Sequence, residues 1–201
     1  MFPDDELVDE TSLRGVEFLR VAFASTQVAG ADIERCRFEG TSLPARLEQL
    51  VISESEFVAS DLANLDVVES SLLECAITGS RMTGTTWVSG TIRDVSIDST
   101  RMDLCSFRYS TLKAVTIADC DLRQVDFQRA KLRNVLFERC DLTGAQFGNA
   151  EVHNVRFRQC TLDAVGGVVS LKGATMSEAD LISFAWSMAK ELGIKVDQGS
   201  R

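Results

Sequence analysis

Residues 120–144 read CDLRQVDFQRAKLRNVLFERCDLTG, and this stretch decides the fold. It carries a large apolar residue at every fifth position and a small residue two positions before most of them. The large residues are Leu122, Phe127, Leu132, Phe137 and Leu142. A period of five matches neither the 3.6-residue period of a helix nor the two-residue period of a strand. The stretch therefore predicts a chain that turns a corner every five residues.

The same period covers most of the chain. Large apolar residues recur every five positions from Leu13 to Leu43 and again from Ile52 to Leu162. Four corners close a coil of 20 residues, with the large residue and the small residue before it both pointing inward. Stacked coils would pair like parallel strands, about 4.8 Å apart. The sequence thus predicts an all-β solenoid.

Residues 20 positions apart support this stacking. Aromatic residues gather in two opposite columns, one of which contains Phe107, Phe127 and Phe147. Stacking of like residues on like residues is typical of a solenoid core.

Three segments resemble the Ala-Asp/Asn-Leu-X-X unit of the pentapeptide-repeat family. They are Cys120-Asp121-Leu122, Ala130-Lys131-Leu132 and Cys140-Asp141-Leu142-Thr143-Gly144. The resemblance covers residues 11 to about 164 and implies a right-handed quadrilateral β-helix of stacked 20-residue coils. We expect N-terminal coils over residues 8–43 and the main β-helix over residues 52–164.

The two arrays are out of register, because Leu43 and Ile52 are nine residues apart rather than ten. We assign residues 44–51, which include Pro44, to a register slip or kink, with Leu47 as a candidate first centre of the new frame. Two interpretations stay open. The slip is either a bulge that only adjusts the geometry of one coil, or an exposed loop that a partner recognises.

Residues 165–198 are expected to form a linker, a helix and a tail. The pair Gly166-Gly167 breaks the repeat. Ser177 can cap a helix that runs to about Glu191, with Gly193 as its stop.

The expected helix has a wide apolar surface. One face carries Leu181, Phe184, Ala185, Met188 and Leu192, and Ile182 and Trp186 lie on a flank. We expect this face to cover the open end of the last coil, since an open end is an exposed sheet edge. The flank indicates a second contact, most simply a homodimer, although the helix could also serve only as a cap. The residues assigned to capping and dimerisation are Leu181, Phe184, Trp186, Met188 and Leu192.

The chain ends carry weaker signals. Ile194 to Val196 could add a short strand, and Gln198 to Arg201 is expected to be a frayed tail. The first residues, Met-Phe-Pro-Asp-Asp-Glu, lack the basic and apolar regions of a signal peptide.

The chain is acidic, with a net charge of −9 at pH 7. This charge disfavours direct binding of nucleic acid or of an anionic membrane surface. No apolar run approaches the roughly 18 residues of a spanning helix. We therefore expect a cytoplasmic protein. The acidity is uneven: residues 1–100 carry 18 acids and 7 bases, whereas residues 101–201 carry 12 acids and 14 bases.

The excess of acid suggests a surface for a basic partner. Glu54, Glu74 and Asp94 recur at 20-residue spacing and should stack. The candidate acidic face consists of Glu54, Asp61, Asp66, Glu69, Glu74 and Asp94. The alternative is a solvated surface that only keeps the rod soluble.

The sequence also predicts a column of basic residues, the basic ladder. It consists of Arg93, Lys113 and Arg133, with His153 above them. Arg93 could pair with Asp94 or Glu74, or the ladder could bind an anion.

The six cysteines all stand at the small inward position. They are Cys36, Cys75, Cys105, Cys120, Cys140 and Cys160. Their spacing fits neither a zinc site nor a disulfide, so we expect buried thiols in a reducing compartment. The lone His153 has no nucleophile or orienting acid beside it in the pattern. We expect no enzyme, no catalytic residue, no metal and no cofactor.

Two functions remain open. The uninterrupted repeats, the small apolar helix and the segment Leu192-Gly193-Ile194 resemble the fluoroquinolone-resistance branch of the family (Qnr-type proteins). That resemblance implies a DNA mimic that binds DNA gyrase or another type II topoisomerase and modulates it or protects it from poisons. The alternative is a generic interaction scaffold with an unknown partner, because a fold does not determine a function.

Overall fold

A computed structural model describes residues 7–195. Short parallel strands and tight corners alternate along this part of the chain. They build a parallel β-solenoid of about eight coils, followed by one α-helix. The predicted solenoid and its C-terminal helix are confirmed. Ile194 lies in no strand, whereas Val196 and the expected tail Gln198 to Arg201 lie outside the described residues.

The described chain contains 18 strands, most of them three residues long. In chain order they are β1 Ser12–Arg14, β2 Glu17–Leu19, β3 Gln27–Ala29, β4 Asp32–Glu34, β5 Arg37–Glu39, β6 Arg46–Glu48, β7 Val51–Ser53, β8 Glu56–Val58, β9 Asp66–Val68, β10 Ser71–Leu73, β11 Ala76–Thr78, β12 Thr86–Val88, β13 Thr91–Asp98, β14 Thr111–Ala118, β15 Lys131–Glu138, β16 Glu151–His153, β17 Arg156–Arg158 and β18 Thr175–Met176. A 3₁₀ helix covers Val168–Leu171 and the α-helix, α1, covers Glu178–Glu191.

Each coil has four sides, which we number in chain order. Face 1 carries β1, β4, β7, β10, β16 and the first parts of β13 to β15. Face 2 carries β2, β5, β8, β11, β17 and the second parts of β13 to β15. Face 3 is held by single bridges such as Asp61 to Arg81. Face 4 carries β3, β6, β9 and β12 and continues as bridges.

The corners explain the five-residue period. The residue two positions after each centre adopts a left-handed backbone in nearly every unit, as at Asp94 (φ 55°) and Tyr109 (φ 61°). Among residues 7–195, no Val, Ile or Thr adopts a positive φ. This agrees with the steric cost of a branched side chain in that conformation.

The interior is filled by the centres and by the small residues before them. Most centres are fully buried, and stacked rings run up face 4 from Phe107 through Phe127 to Phe147, with centroids 5.4 and 5.2 Å apart. A second stack joins Phe18 and Phe38 on face 2, 5.0 Å apart. Packing of this kind favours offset aromatic pairs and leaves little room inside the rod.

The register slip is one short corner. Val28 pairs with Leu47 and Ile33 with Ile52, so this coil spans 19 residues, while the coils on either side of it pair at a spacing of 20. Leu47 is the first centre of the new frame, and Pro44 is buried. A bulge contains an extra residue, whereas this corner lacks one, and the strand ladder runs through it unbroken.

The interior contains a small cavity among the coils that follow the short corner. Its volume is about 20 Å³, and its lining, mostly apolar, extends from Leu43 to Trp87. Its size matches about one water molecule, but an apolar cavity of this kind stays dry.

The repeat ends at Gly167, a position that only glycine can occupy. Gly167 has φ +70°, and a Cβ there would lie 2.3 Å from the backbone nitrogen of Gly148. The chain therefore leaves the coil at this close approach and passes through the 3₁₀ helix towards α1.

Candidate interaction surfaces

The predicted acidic face is divided among different sides of the rod. Glu54, Glu74 and Asp94 all lie at the corner after face 1, and the register pairs their coils directly. Asp61 lies on face 3, next to Arg81. These positions are separated by the width of the rod, so the prediction of one acidic face is wrong.

The remaining two predicted acids lie on or beside face 4. Asp66 lies on the face itself, next to Arg46 in the strand ladder. Glu69 lies at the corner that follows, where it accepts a hydrogen bond of 3.3 Å from Gln49 Nε2. The 20-residue spacing groups 54, 74 and 94 together and excludes 61, 66 and 69, so the sequence held the signal for this division.

Several of these acids are already paired. Asp61 Oδ2 lies 2.7 Å from Arg81 Nη2, and this hydrogen bond lowers the pKa of the Asp61 carboxyl. Asp66 is in contact with Arg46, and Asp94 lies 3.4 Å from Arg93 Nε. Within residues 7–195, Glu54 and Glu74 form no ion pair. Three acids of the candidate set are thus without an ion pair in the described chain: Glu54 and Glu74, which share one column, and Glu69 at the corner after face 4.

The basic ladder exists as predicted in its geometry. Arg93, Lys113, Arg133 and His153 are direct register partners along face 1. Arg93 lies beside Asp94, one of the two predicted partners, and its buried Nε makes no hydrogen bond in the described chain. Within residues 7–195, Lys113 and Arg133 form no ion pair.

The C-terminal helix begins and ends where the sequence predicts. Ser177 Oγ accepts from the backbone N–H of Asp180, which forms a capping box with Ser177. At the other end Gly193 adopts φ +71°, and the backbone N–H of Ile194 donates to Ala189 O at 2.8 Å. These bonds satisfy backbone groups that a helix terminus leaves free.

The helix covers the last coil with its polar face. The residues that contact the coil edge through side-chain oxygens are Asp180, Ser183, Ser187 and Glu191. Asp180 Oδ1 accepts from the backbone N–H of Cys160 at 2.8 Å, and Ser187 Oγ accepts from that of Val165 at 3.0 Å. An open strand edge presents unpaired N–H groups, so acceptors at a helical spacing of three and four residues close it.

The expected apolar covering face is therefore wrong, apart from one residue. Phe184 is buried, but the other predicted covering residues point away from the coil. The exposed apolar residues on and just after α1 are Leu181, Ile182, Trp186, Met188, Leu192 and Ile194. Ile182 is 70% exposed and Trp186 is 54% exposed. A helix that turns an apolar arc to solvent commonly marks an interaction site.

The six cysteines are buried in the interior of the rod. Burial raises the pKa of the Cys75 thiol to about 11 and that of the Cys105 thiol to about 12. Cys140 Sγ lies 3.4 Å from Ile117 O in the coil below. Such thiols are protonated at neutral pH and act as small packing residues.

The surface of the rod carries shallow open grooves. One is lined by Arg133, Glu151, Val152 and His153 on face 1, and another lies between β17 and Thr175 to Ser177. Within residues 7–195, no three His, Cys, Asp or Glu side chains are placed to hold a metal ion. No helix in the described chain is long and apolar enough to span a membrane.

Comparisons with known proteins agree with this architecture. Residues 101–166 match the family model of the pentapeptide repeat region. No curated protein matches the sequence of the chain.

Solved structures of similar fold have low sequence identity to this chain. The plasmid-mediated fluoroquinolone resistance protein QnrB1, in a trypsin-treated variant, is 15% identical, with 94% of this chain and 99% of that chain covered and a TM-score of 0.44. HetL, a pentapeptide repeat protein involved in heterocyst differentiation regulation from the cyanobacterium Nostoc, is 14% identical, with 87% and 91% covered and a TM-score of 0.47. A pentapeptide repeat protein from the Arabidopsis thaliana thylakoid lumen is 17% identical, with 59% and 63% covered and a TM-score of 0.29.

Within the matched range, large buried centres such as Phe127 and Leu132 are each followed by a left-handed corner, at Arg129 and Asn134. Residues 101–166 thus match the pentapeptide repeat region, and they lie in a four-sided parallel β-solenoid that carries the same five-residue period through most of the described chain.

Proposed function

We propose that this chain is a non-enzymatic interaction protein that binds a protein partner through the ladders on its surface. The proposal rests on the difference between the inward and the outward residues of each coil. The centres fill the interior, while the outward positions form straight columns of charged side chains at the coil spacing of about 4.8 Å. A rigid column of this kind can match regularly spaced charges on a partner.

A basic partner fits the N-terminal half. Residues 7–100 carry 15 acids and 7 bases, a net charge of −8. The arginines Arg14, Arg37 and Arg46 are each held by acids, while Glu54 and Glu74 stay unpaired within the described residues. Free acid therefore remains for a partner with an excess of Lys and Arg.

The sharper form of this proposal is a DNA mimic that binds DNA gyrase or another type II topoisomerase. A channel that attracts duplex DNA through positive potential would also attract an acidic rod, and salt would weaken the attraction. About five coils hold the −8 charge, or roughly one net charge per 3 Å, against about one per 1.7 Å in duplex DNA. We therefore expect weaker binding than that of DNA itself.

We also propose that the outward face of α1 forms a homodimer. Its exposed apolar arc includes Leu181, Ile182 and Trp186, and a two-fold axis would bury the same surface of both copies. This dimer would place the acidic halves at its two far ends. The buried free thiols of Cys75, Cys105, Cys120, Cys140 and Cys160 support a reducing compartment such as the cytoplasm.

A supercoiling assay with purified gyrase tests the mimic. The protein is added with and without a fluoroquinolone, at two salt concentrations. We expect salt-sensitive inhibition or drug protection, which a triple variant with Glu54→Gln, Glu69→Gln and Glu74→Gln loses. The matched control replaces three acids that are paired or lie elsewhere, Glu34, Asp119 and Glu138, by their amides.

The two forms of the proposal have different outcomes. No effect at micromolar protein, in either salt, would reject gyrase as the partner. The interaction scaffold would then be tested by affinity capture, with the same charge-neutralised triple variant as the negative bait. Equal capture by both baits would reject the acidic column as the binding surface.

The dimer has its own test. Sedimentation velocity of a Trp186→Glu variant should show a loss of the dimer. Leu19→Glu, at an exposed apolar residue of β2 at the other end of the rod, should leave the dimer intact. A monomeric wild-type protein would contradict this part of the proposal.

A further inference from the structure

Face 1 changes sign along the length of the rod. Its middle coil carries Arg93 and Asp94 side by side. Towards the N-terminus the next two coils carry Glu74 and Glu54, and towards the C-terminus the next two carry Lys113 and Arg133. The two glutamates and the two basic residues thus lie on either side of the central coil, each set at distances of one and two coils.

The charges on both sides are available for a partner. Within residues 7–195, Glu54, Glu74, Lys113 and Arg133 form no ion pair. Arg93 Nε is buried without a hydrogen bond in that part of the chain. Some charged groups elsewhere on the rod are held locally, for example Arg139 by Asp119 at 2.7 Å.

Two copies of this face match each other only when the rods run in opposite directions. Every copy has the same coil spacing of about 4.8 Å, so columns stay in step along the contact. A two-fold axis parallel to the strands places the central coil on itself. It then brings the Lys113 coil onto the Glu74 coil and the Arg133 coil onto the Glu54 coil. Parallel rods would instead bring like charges together.

We propose that face 1 binds a second copy of this chain in an antiparallel arrangement. Lys113 pairs with Glu74 of the other copy and Arg133 pairs with Glu54, and the symmetry makes each pair twice. Lys131 lies beside Arg133 on the same face and adds to the basic side. Long Lys and Arg side chains span the offset of one residue between these columns.

The outermost coils contribute less. There His153 would face Glu34, but Glu151 would face Asp32, and two carboxylates repel. The flat face is about 38 Å long and roughly 10 Å wide by strand geometry, which is small for a stable interface. We therefore infer a weak, salt-sensitive association that becomes important at high local concentration.

This surface is separate from the outward face of α1. Two different two-fold contacts in one chain would build assemblies larger than a dimer. The test is therefore made in a Trp186→Glu background, in which the helix contact is removed and the face 1 contact is measured alone.

Sedimentation equilibrium at 0.1 M and 1 M NaCl tests the proposal. We expect concentration-dependent dimers at 0.1 M NaCl that dissociate at 1 M. Lys113→Glu with Arg133→Glu should weaken the association at least ~10-fold. Adding Glu74→Lys and Glu54→Arg to the same chain should restore it to within ~3-fold, because the charges are exchanged while their pairing is kept.

A matched control changes the same charge elsewhere. Arg101→Glu with Lys172→Glu alters two exposed cations off face 1 and should leave the association within ~2-fold of its starting value. An equal loss in this control, a failure of the four-residue exchange to restore binding, or a monomer up to millimolar protein would each overturn the proposal.

Cross-linking tests the antiparallel register. Thr91→Cys lies in the central coil, so a short bismaleimide should join two copies at this position. Ser12→Cys lies in the same outward column about four coils away and should not be joined to itself, because its copies would be roughly 38 Å apart. Efficient cross-linking at Ser12→Cys would show parallel rods and overturn the arrangement. The native cysteines are buried in all cases.

Discussion

The C-terminal coils and the N-terminal coils follow one backbone rule but differ in how completely they obey it. From Thr91 onward, the inward positions are almost all fully buried and three strands run unbroken around a corner. Before Ile52 the chain has a 19-residue coil, and Phe23 and Leu43 are only partly buried. The solenoid thus tolerates local defects as long as the backbone hydrogen bonds between its coils are kept.

The largest difference is expected in the aromatic stacks. Phe127→Ala removes a fully buried ring between two stacked neighbours and should cost about 3–5 kcal/mol in the free energy of unfolding. Phe23→Ala removes a partly buried ring whose centroid lies 5.2 Å from that of Phe18, and should cost about 1–2 kcal/mol. Urea denaturation followed by circular dichroism measures both. Equal costs would show that the two halves pack equally well.

The next effect concerns the length of a coil. Deleting Gln124, which has φ 57° and donates its backbone N–H to Thr143 O at 2.9 Å, imposes a short corner on the C-terminal half. We expect a loss of about 2–4 kcal/mol. Inserting one glycine after Pro44 lengthens the native short corner and should change stability by less than about 1 kcal/mol. A similar loss in both variants would mean that the native short corner is required rather than tolerated.

The cap gives a smaller effect. Asp180→Ala leaves the backbone N–H of Cys160 unpaired and removes the capping box, so it should cost about 2 kcal/mol. Hydrogen exchange should become faster in the last coil and stay unchanged in the N-terminal coils. Glu178→Ala, at an exposed residue of the same helix turn, should change the free energy by less than about 0.5 kcal/mol. Uniformly faster exchange would contradict a local cap.

The smallest effect is the pH dependence of the buried thiols. Burial raises the pKa of Cys105 to about 12 and that of Cys75 to about 11, while an unfolded thiol titrates near 8.5. The folded state thus favours the neutral thiol. This contribution is fully present below about pH 8.5 and is lost as the pH rises towards the folded pKa.

Cys105→Ser checks this sign, because Ser110 shows that serine fits the same inward position. Between pH 7.5 and 10, the midpoint of urea denaturation should fall more in the wild-type protein than in this variant. Cys75→Ser should behave likewise with a smaller difference. The same fall in wild type and both variants would exclude the thiols as its cause.

The sequence predicted the backbone in detail because one rule repeats. The centres such as Phe127, the helix cap at Ser177 and the stop at Gly193 each depend on local geometry, and local geometry is encoded in short segments. The register of the basic ladder from Arg93 to Arg133 follows from the 20-residue coil alone.

The two wrong predictions concern the orientation of α1 and the grouping of the acids, and both depend on neighbours that a short segment of sequence does not reveal. An apolar helix face normally points to the core, but the last coil presents unpaired N–H groups, so α1 turns Asp180 and Ser187 towards it. The acids at 54, 61 and 69 were grouped by their nearness along the chain. In a four-sided coil, nearness along the chain means different sides of the rod.

The unbroken ladder of hydrogen bonds between coils has a mechanical consequence. These bonds run along the rod axis, so a pulling force along that axis would open them one after another, like a zipper. Each coil of 20 residues would then release roughly 60–70 Å of contour length, and the 19-residue coil would release about 3.5 Å less. The helix cap fastens one end, so peeling would begin at the N-terminal coil. Force spectroscopy would therefore record the repeat as a series of nearly equal steps.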